Sequence, residues 1–298
     1  MYEPGIRKEK ITMEGTMEKI VNFVSKTRFS DLPKYVIHEM KRVILDSIGC
    51  AITGHSTDRG RIAVELARKL GGPFESTIIG TNNKVSCVNA AFANGELMNA
   101  LDFDAFSSQG IHDVPILISA LLPLGERVGA SGQNLILSTA LALEISGRLK
   151  TAVKGIHDPG PNSNKMLWPE VAGYSHASLG VAAGATKLLE LNQEQIANGI
   201  GIAGYICLPS TSRKKMETTP IRMIKYGPSG WGAQAGVTSA LLAEMGYTGD
   251  TDLFEGEYGF WKYTGSNKGE WNTQKVIKEL GTKWLAPQIF YKQYPGGL

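Results

Sequence analysis

Between Ile20 and Gly54, apolar side chains recur at Ile20, Val21 and Val24, then at Val36, Ile37, Met40, Val43, Ile44 and Ile48. Steps of three and four place such residues on one face of a helix. The span therefore predicts two helices, with Ser30-Asp31-Leu32-Pro33 as the cap that opens the second. The pattern repeats from Arg59 to Leu70 and stops at Gly71-Gly72-Pro73, residues that end helices. Ser76 to Gly80 is short and β-branched and predicts a strand, and Cys87 to Leu101 returns to helical spacing. Four longer stretches predict buried helices: Ile116 to Gly129, Gln133 to Ala152, His176 to Glu190 and Gln193 to Ile206; Gly232 to Met245 predicts another. Ala, Gly and Ser dominate these stretches, as suits closely packed helices. Beyond Gly246 the texture changes. Asp250 to Trp271 is a Gly- and aromatic-rich loop, and Pro287 to Pro295 predicts a strand whose partner is expected to follow it.

Composition narrows the class without naming a function. The length of 298 residues suits one large or two ordinary domains and a core that needs no staple. Hydrophobic residues make up 42% and charged residues 20%, the profile of a globular protein. A net charge of +3, with its basic residues scattered, gives no nucleic-acid footprint. Cys50, Cys87 and Cys207 are far apart and form no C-x-x-C pair, which argues against a disulfide framework or a cysteine-bound metal. No apolar run reaches membrane-spanning length and the amino terminus shows no signal-peptide core, so a cytoplasmic location with no membrane partner is expected.

The chemistry-bearing residues cluster around loops. Asp102 and Asp104 flank an irregular stretch that runs through Ser107-Ser108-Gln109-Gly110 to His112. His112 and His176 each stand where a polar loop meets a long apolar helix, a place where side chains can face a cleft from a rigid backbone. Lys225, with Arg222 close by, precedes a helix start, where a cation opposes the helix dipole and so is not placed for local stability. Such a pair suits a carboxylate ligand. Other signals read as structure. Gly199-Ile200-Gly201-Ile202-Ala203-Gly204 fits G-x-G-x-x-G, yet it lies inside a helical pattern with no strand before it, so tight helix packing is expected rather than a dinucleotide. Gly227-Pro228-Ser229-Gly230 is an incomplete nucleophile elbow. His38 and His55 are expected to be structural, and His157 to sit in an exposed loop. With no His-x-x-x-His pair and no acid-rich metal loop, no metal is expected.

Asn94-Gly95, Leu101-Asp102-Phe103-Asp104 and His112 with Pro115 together resemble the N-G-x-x-x-H-x-L-D-F-D-D-T…H-P signature of the MmgE/PrpD family, which includes 2-methylcitrate dehydratase, cis-aconitate decarboxylase and iminodisuccinate epimerase. Further matches are Leu45 to Cys50, Ser131-Gly132 with Leu143-Glu144, Gly180 to Leu191, Gly232 to Gly236, and Lys292-Gln293-Tyr294-Pro295 for the family's K-P-Y-P. The resemblance implies a mainly α chain: a large helical-bundle domain over residues 1–280, then only the beginning of an α+β lid over 281–298. It also implies no cofactor and no metal, a small carboxylic acid as substrate, and a homodimer. The small-residue faces of Val181 to Leu189 and Gly232 to Met245 are the surfaces expected to serve that dimer.

By resemblance, Asp102, His112, Lys225 and Lys292 are active-site positions, and Asp104, His176, Arg222 and Phe106 are expected to contact substrate. The second acid and threonine of D-D-T are here Ala105 and Phe106, and the family's early histidine is Asn99. An apolar ring thus replaces a hydroxyl that would bond a carboxylate. The chemistry implied is proton abstraction next to a carboxylate. His112 would be principal acid/base, Asp102 its orienting or relay partner, and Lys225 and Lys292 the carboxylate-binding cations. Dehydration of the 2-methylcitrate type is the leading expectation. Epimerisation, decarboxylation, and a non-catalytic role for a lidless, dimerising helical protein are the alternatives.

Overall fold

The computed structural model describes residues 15–107, 112–152, 173–207, 214–215, 217–225, 227–263 and 272–296. His157, Ser108-Gln109-Gly110 and Trp271 lie outside them. The chain is mainly α, as the periodicity predicts. Helix α1 spans Thr16–Lys26, a 3₁₀ turn follows at Phe29–Asp31, and then come α2 (Lys34–Gly54), α3 (Asp58–Leu70), α4 (Cys87–Asn99), α5 (Val114–Arg127), α6 (Gly132–Ala152), α7 (Ser175–Leu188), α8 (Gln193–Ile206), α9 (Ser229–Glu244) and the short α10 (Thr273–Ile277). Pro33 stands at the cap of α2 as foreseen, whereas Asp31 closes the preceding 3₁₀ turn on the Arg28 N–H instead of capping α2.

Helices α4, α5, α7 and α9 interlock at the centre, with α6 and α8 alongside and α2 and α3 outside α4. The crossing of α4 and α9 has no room for side chains: a Cβ on Gly95 would lie 2.7 Å from the Gly230 Cα, and one on Gly230 would lie 2.2 Å from the Phe92 carbonyl oxygen. Asn94 beside it ties down the neighbouring strand, accepting from the Ile79 N–H at 2.9 Å and donating to the Thr77 carbonyl at 3.1 Å. Asn94-Gly95 is thus a packing device at the site's edge. The G-x-G-x-x-G stretch is helical, within α8, and a Cβ on Gly201 would meet the Asp250 backbone at 2.5 Å. His55 has a structural contact, Nε2 at 2.7 Å from the Ile79 carbonyl. The thiols of Cys50, Cys87 and Cys207 are buried and unpaired, and burial pushes each up to about 12.

Two of the expected features come out differently. The strand candidates shrink to β1 (Ser76–Thr77) paired with β2 (Lys84–Val85), and β3 (Phe106–Ser107) paired antiparallel with β4 (Ile289–Phe290). The partner of the terminal strand therefore precedes it by well over a hundred residues instead of following it. Along α7, Val181, Ala182, Ala183 and Ala185 are fully buried inside the chain, so this stretch offers no face to a second copy. Its small residues serve α6 and α9 instead. Among the described residues, no helix is long and apolar enough to cross a membrane.

Candidate active site

The antiparallel pairing Phe106↔Phe290 and Ser107↔Ile289 brings the last described segment against the Leu101–Ser107 loop. Continued past the pair, that pairing delivers Lys292 to Asp102. The Lys292 ammonium, almost wholly buried, lies 3.1 Å from Asp102 Oδ1 and donates to the Asp102 carbonyl at 2.7 Å and the Gly296 carbonyl at 2.9 Å. The Gly296 N–H donates to the same Asp102 carbonyl at 3.0 Å. Lys225 arrives from the turn before α9. It donates to the Asn99 carbonyl at the end of α4 (2.9 Å) and stands 4.0 Å from Asp102 Oδ2. His112 enters from the start of α5, with Nε2 3.9 Å from Asp102 Oδ1. Asp102 and Lys225 both hold left-handed backbone, φ +54° and +48°. A lysine in that region is strained, and such strain persists only where surrounding contacts impose it.

The electrostatics follow from this packing. Burial by itself would raise the Asp102 carboxyl, but the ammonium groups of Lys225 and Lys292 outweigh it and hold the carboxyl below its usual range. Burial pushes Lys225 down to about 8; Asp102 works against that shift, while Arg59 adds to it. The site thus contains an ionised acid, a cation whose proton affinity burial lowers to about 8, and an imidazole.

The contacts of the two acids differ from those expected. Asp104, fully buried, makes the close contact to the imidazole: its Oδ2 is 2.7 Å from His112 Nδ1. Asp102 faces the other ring nitrogen across a longer gap. Asp104 therefore sits on the Nδ1 side of His112, opposite the Nε2 side that faces Asp102. Phe106 flanks the imidazole, ring centroids 6.0 Å apart, and stacks on Phe290 at 5.5 Å, so one wall of the site is apolar. Arg222 is exposed, with no side-chain partner among the described residues, and is not drawn into this group.

His176, in the first turn of α7, is buried apart from this group. Burial and then the Lys150 ammonium hold its imidazole well below the ordinary histidine range, and its Nε2 has no partner among the described residues. Lys150 on α6 is itself pushed down to about 8 by burial, against the pull of Asp113. Asp113, adjoining His112, is pushed up to about 6 by burial although Ser146 Oγ donates to it at 2.8 Å. Tyr174 lies against the His112 backbone, its phenol raised by burial and by Asp104, Asp113 and Asp102. Nothing in the local pattern marks Asp113, Lys150 or Tyr174 as site residues. On a helix or in a loop each reads as an ordinary solvated polar residue, and the only available signal was that Asp113 adjoins His112.

Asp102, Asp104 and His112 carry ligand-type atoms within 4.8 Å of one another. As a cation site the trio is poor. Both oxygens of Asp102 face ammonium groups, and both oxygens of Asp104 are taken, by His112 Nδ1 and by the Asn99 amide. A divalent ion would have to displace one positive charge and sit beside another.

A model of the MmgE/PrpD N-terminal domain matches residues 18–272. The chain is 25% identical over 294 residues to a cis-aconitate decarboxylase of Homo sapiens, covering 96% of this chain and 57% of that protein. It is 27% identical over 290 residues to a cis-aconitate decarboxylase of Aspergillus terreus, covering 94% and 57%. A cis-aconitate decarboxylase-like protein of Aspergillus oryzae is 24% identical over 294 residues, covering 94% and 58%. The chain thus spans under three-fifths of the length of these curated relatives.

Proposed function

The chain belongs to the MmgE/PrpD family, its residues 18–272 matching the N-terminal domain, and from that premise we propose that its site is the helical-domain part of a lyase acting on a small di- or tricarboxylic acid. One observation carries this reading: His112, Lys225 and Lys292, from three separate segments, all converge within 4.0 Å of the Asp102 carboxylate. The two ammonium groups are placed to bind substrate carboxylates and to hold the charge that develops on one of them when the neighbouring carbon gains or loses a proton. His112 moves that proton through Nε2. Asp102, kept ionised by the lysines, keeps them in register and stands ready to stabilise His112 once it is charged. Phe106 makes the wall beside the reacting carbon apolar, which suits a substrate group without a hydroxyl there.

The named activity of the relatives favours decarboxylation. In that reaction the C–CO₂⁻ bond breaks, carbon dioxide leaves, and a proton delivered from His112 takes its place on the carbon skeleton. Dehydration uses the same groups in the other sense, with the proton taken from carbon and the leaving hydroxyl protonated. Incubation in deuterium oxide with cis-aconitate, 2-methylcitrate and related hydroxy acids, followed by NMR, tests the shared step. Deuterium at the carbon next to a carboxylate, abolished in His112→Ala, is the expected result. Product formed or deuterium incorporated equally by His112→Ala and by the native chain would overturn the reading. The homodimer implied by the resemblance belongs to the same proposal, and light scattering giving about the 32.2 kDa of one chain would remove it.

A further inference from the structure

Behind His112 runs a chain of buried polar groups whose side chains link α3, α4 and the Leu101–Ser107 loop. Glu96 on α4 accepts from the Gly230 N–H at the start of α9 (2.8 Å) and from Arg59 Nε on α3 (2.7 Å). Arg59 Nη1 donates to Asn99 Oδ1 at 2.9 Å, and Asn99 Nδ2 donates to Asp104 Oδ1 at 2.9 Å. The other oxygen of Asp104, Oδ2, lies 2.7 Å from His112 Nδ1. Arg59, Glu96, Asn99 and Asp104 are all buried.

The direction of this chain is forced from its far end. A guanidinium has only donors, so the Asn99 amide must turn its oxygen to Arg59 and its NH₂ to Asp104. Asp104 then receives at Oδ1, which holds the carboxylate with Oδ2 turned to accept from Nδ1. A ring nitrogen facing a carboxylate oxygen carries the hydrogen, and the hydrogen bond at one nitrogen fixes the state of the other. Without Arg59, the Asn99 amide could rotate and present its oxygen to Asp104, breaking the sequence. Glu96 anchors Arg59 and is itself anchored at the crossing of α4 and α9, where only glycines fit. An ion pair that merely clamped α3 to α4 would not need to extend through Asn99 to the loop.

We propose that Arg59 and Asn99 are positioning residues that set the tautomer of His112 through Asp104, keeping one hydrogen on Nδ1 so that Nε2, which faces Asp102 and the substrate, is the nitrogen that takes up and gives up the transferred proton. The inference rests on His112 being the proton-transfer group. Its test needs no substrate, so it stands or falls separately from the choice of reaction. In a long-range ¹H–¹⁵N correlation of the labelled chain at pH 8, the His112 ring, assigned by loss of its signals in His112→Gln, should show Nδ1 protonated and Nε2 bare. In Asn99→Leu, roughly half or more of the neutral ring should shift to the Nε2–H form. Where turnover is measured, kcat should fall about 10- to 100-fold with KM little changed, the range seen when a partner that orients a functional imidazole is removed. Arg59→Lys keeps a cation for Glu96 but loses the fork that reaches Asn99. It should move the tautomer in the same direction and serves as the deciding variant if Asn99→Leu does not fold. An unchanged Nδ1–H tautomer in either variant that melts cooperatively would overturn the proposal, as would an Nε2–H ring in the native chain.

Discussion

On α6, Arg148 spends its guanidinium completely. It pairs with Glu144 at 2.5 Å and donates to the carbonyls of Val276, Lys278, Glu279 and Lys283. Glu144 in turn accepts from the Leu285 and Ala286 N–H groups at 2.7 and 2.9 Å. Around Asp102 the charges are less deeply placed and held at longer range: Lys225 stands 4.0 Å away and His112 Nε2 3.9 Å away. Both groups of charge cost desolvation. The first recovers it by saturating every donor, which locks residues 276–286 in place and so sets up the strand pairing that carries Lys292. The second recovers less, and the shortfall appears as the lowered proton affinity of Lys225 and the left-handed backbone of Asp102 and Lys225. Saturation makes a strut, and the looser contacts of the second group go with backbone strain and a shifted proton affinity.

The contrast is most exposed to failure at Arg148. Arg148→Met should destabilise by about 3–5 kcal/mol in denaturant titrations, because Glu144 is left as an uncompensated buried charge. Lys225→Met, which removes a cation that burial already disfavours, should cost far less. Equal losses would erase the distinction between the two groups.

His112→Ala should lower turnover by ~10²-fold or more while barely moving the melting temperature, since a partly exposed loop imidazole carries little packing. A large drop in melting temperature with activity retained would make this histidine structural.

Asp113 sharpens the comparison through pH. Its carboxyl is raised in the folded chain to about 6, so the folded state binds that proton more tightly than the unfolded chain, for which 3.8 is the reference. The stabilisation this confers is complete below about pH 4 and is lost as pH rises through 6, leaving a cost on the order of 3 kcal/mol above that. Asp113→Asn should therefore melt higher than the native chain at pH 8, with the advantage gone near pH 3.5. An advantage independent of pH would show that charge burial is not its source.

The smallest effect concerns Lys225. The free ammonium titrates at about 8, so kcat/KM should decline above that pH as the carboxylate-binding charge disappears. Lys225→Arg should remove this alkaline limb, and Lys225→Ala should raise KM more than it lowers kcat. Persistence of the limb in the arginine variant would assign it to another group.

The sequence by itself determined the helices, because a periodicity of three and four is a local property that burial then rewards. It also placed Asp102 and His112 at one loop, since the irregular stretch between them is visible in the residues themselves. Only the tertiary structure decided which acid orients the imidazole: Asp102 and Asp104 are two positions apart, and their difference lies in which one the packing of α4 and α5 buries. Lys292 reaches Asp102 through a pairing between residues 106 and 290, a register that no local pattern encodes. Arg59, Glu96, Lys150 and Arg148 were illegible for a related reason. A charged residue on a helix reads as a solvated one until neighbouring helices close over it, and that closure depends on where distant glycines, such as Gly95 and Gly230, let two backbones touch.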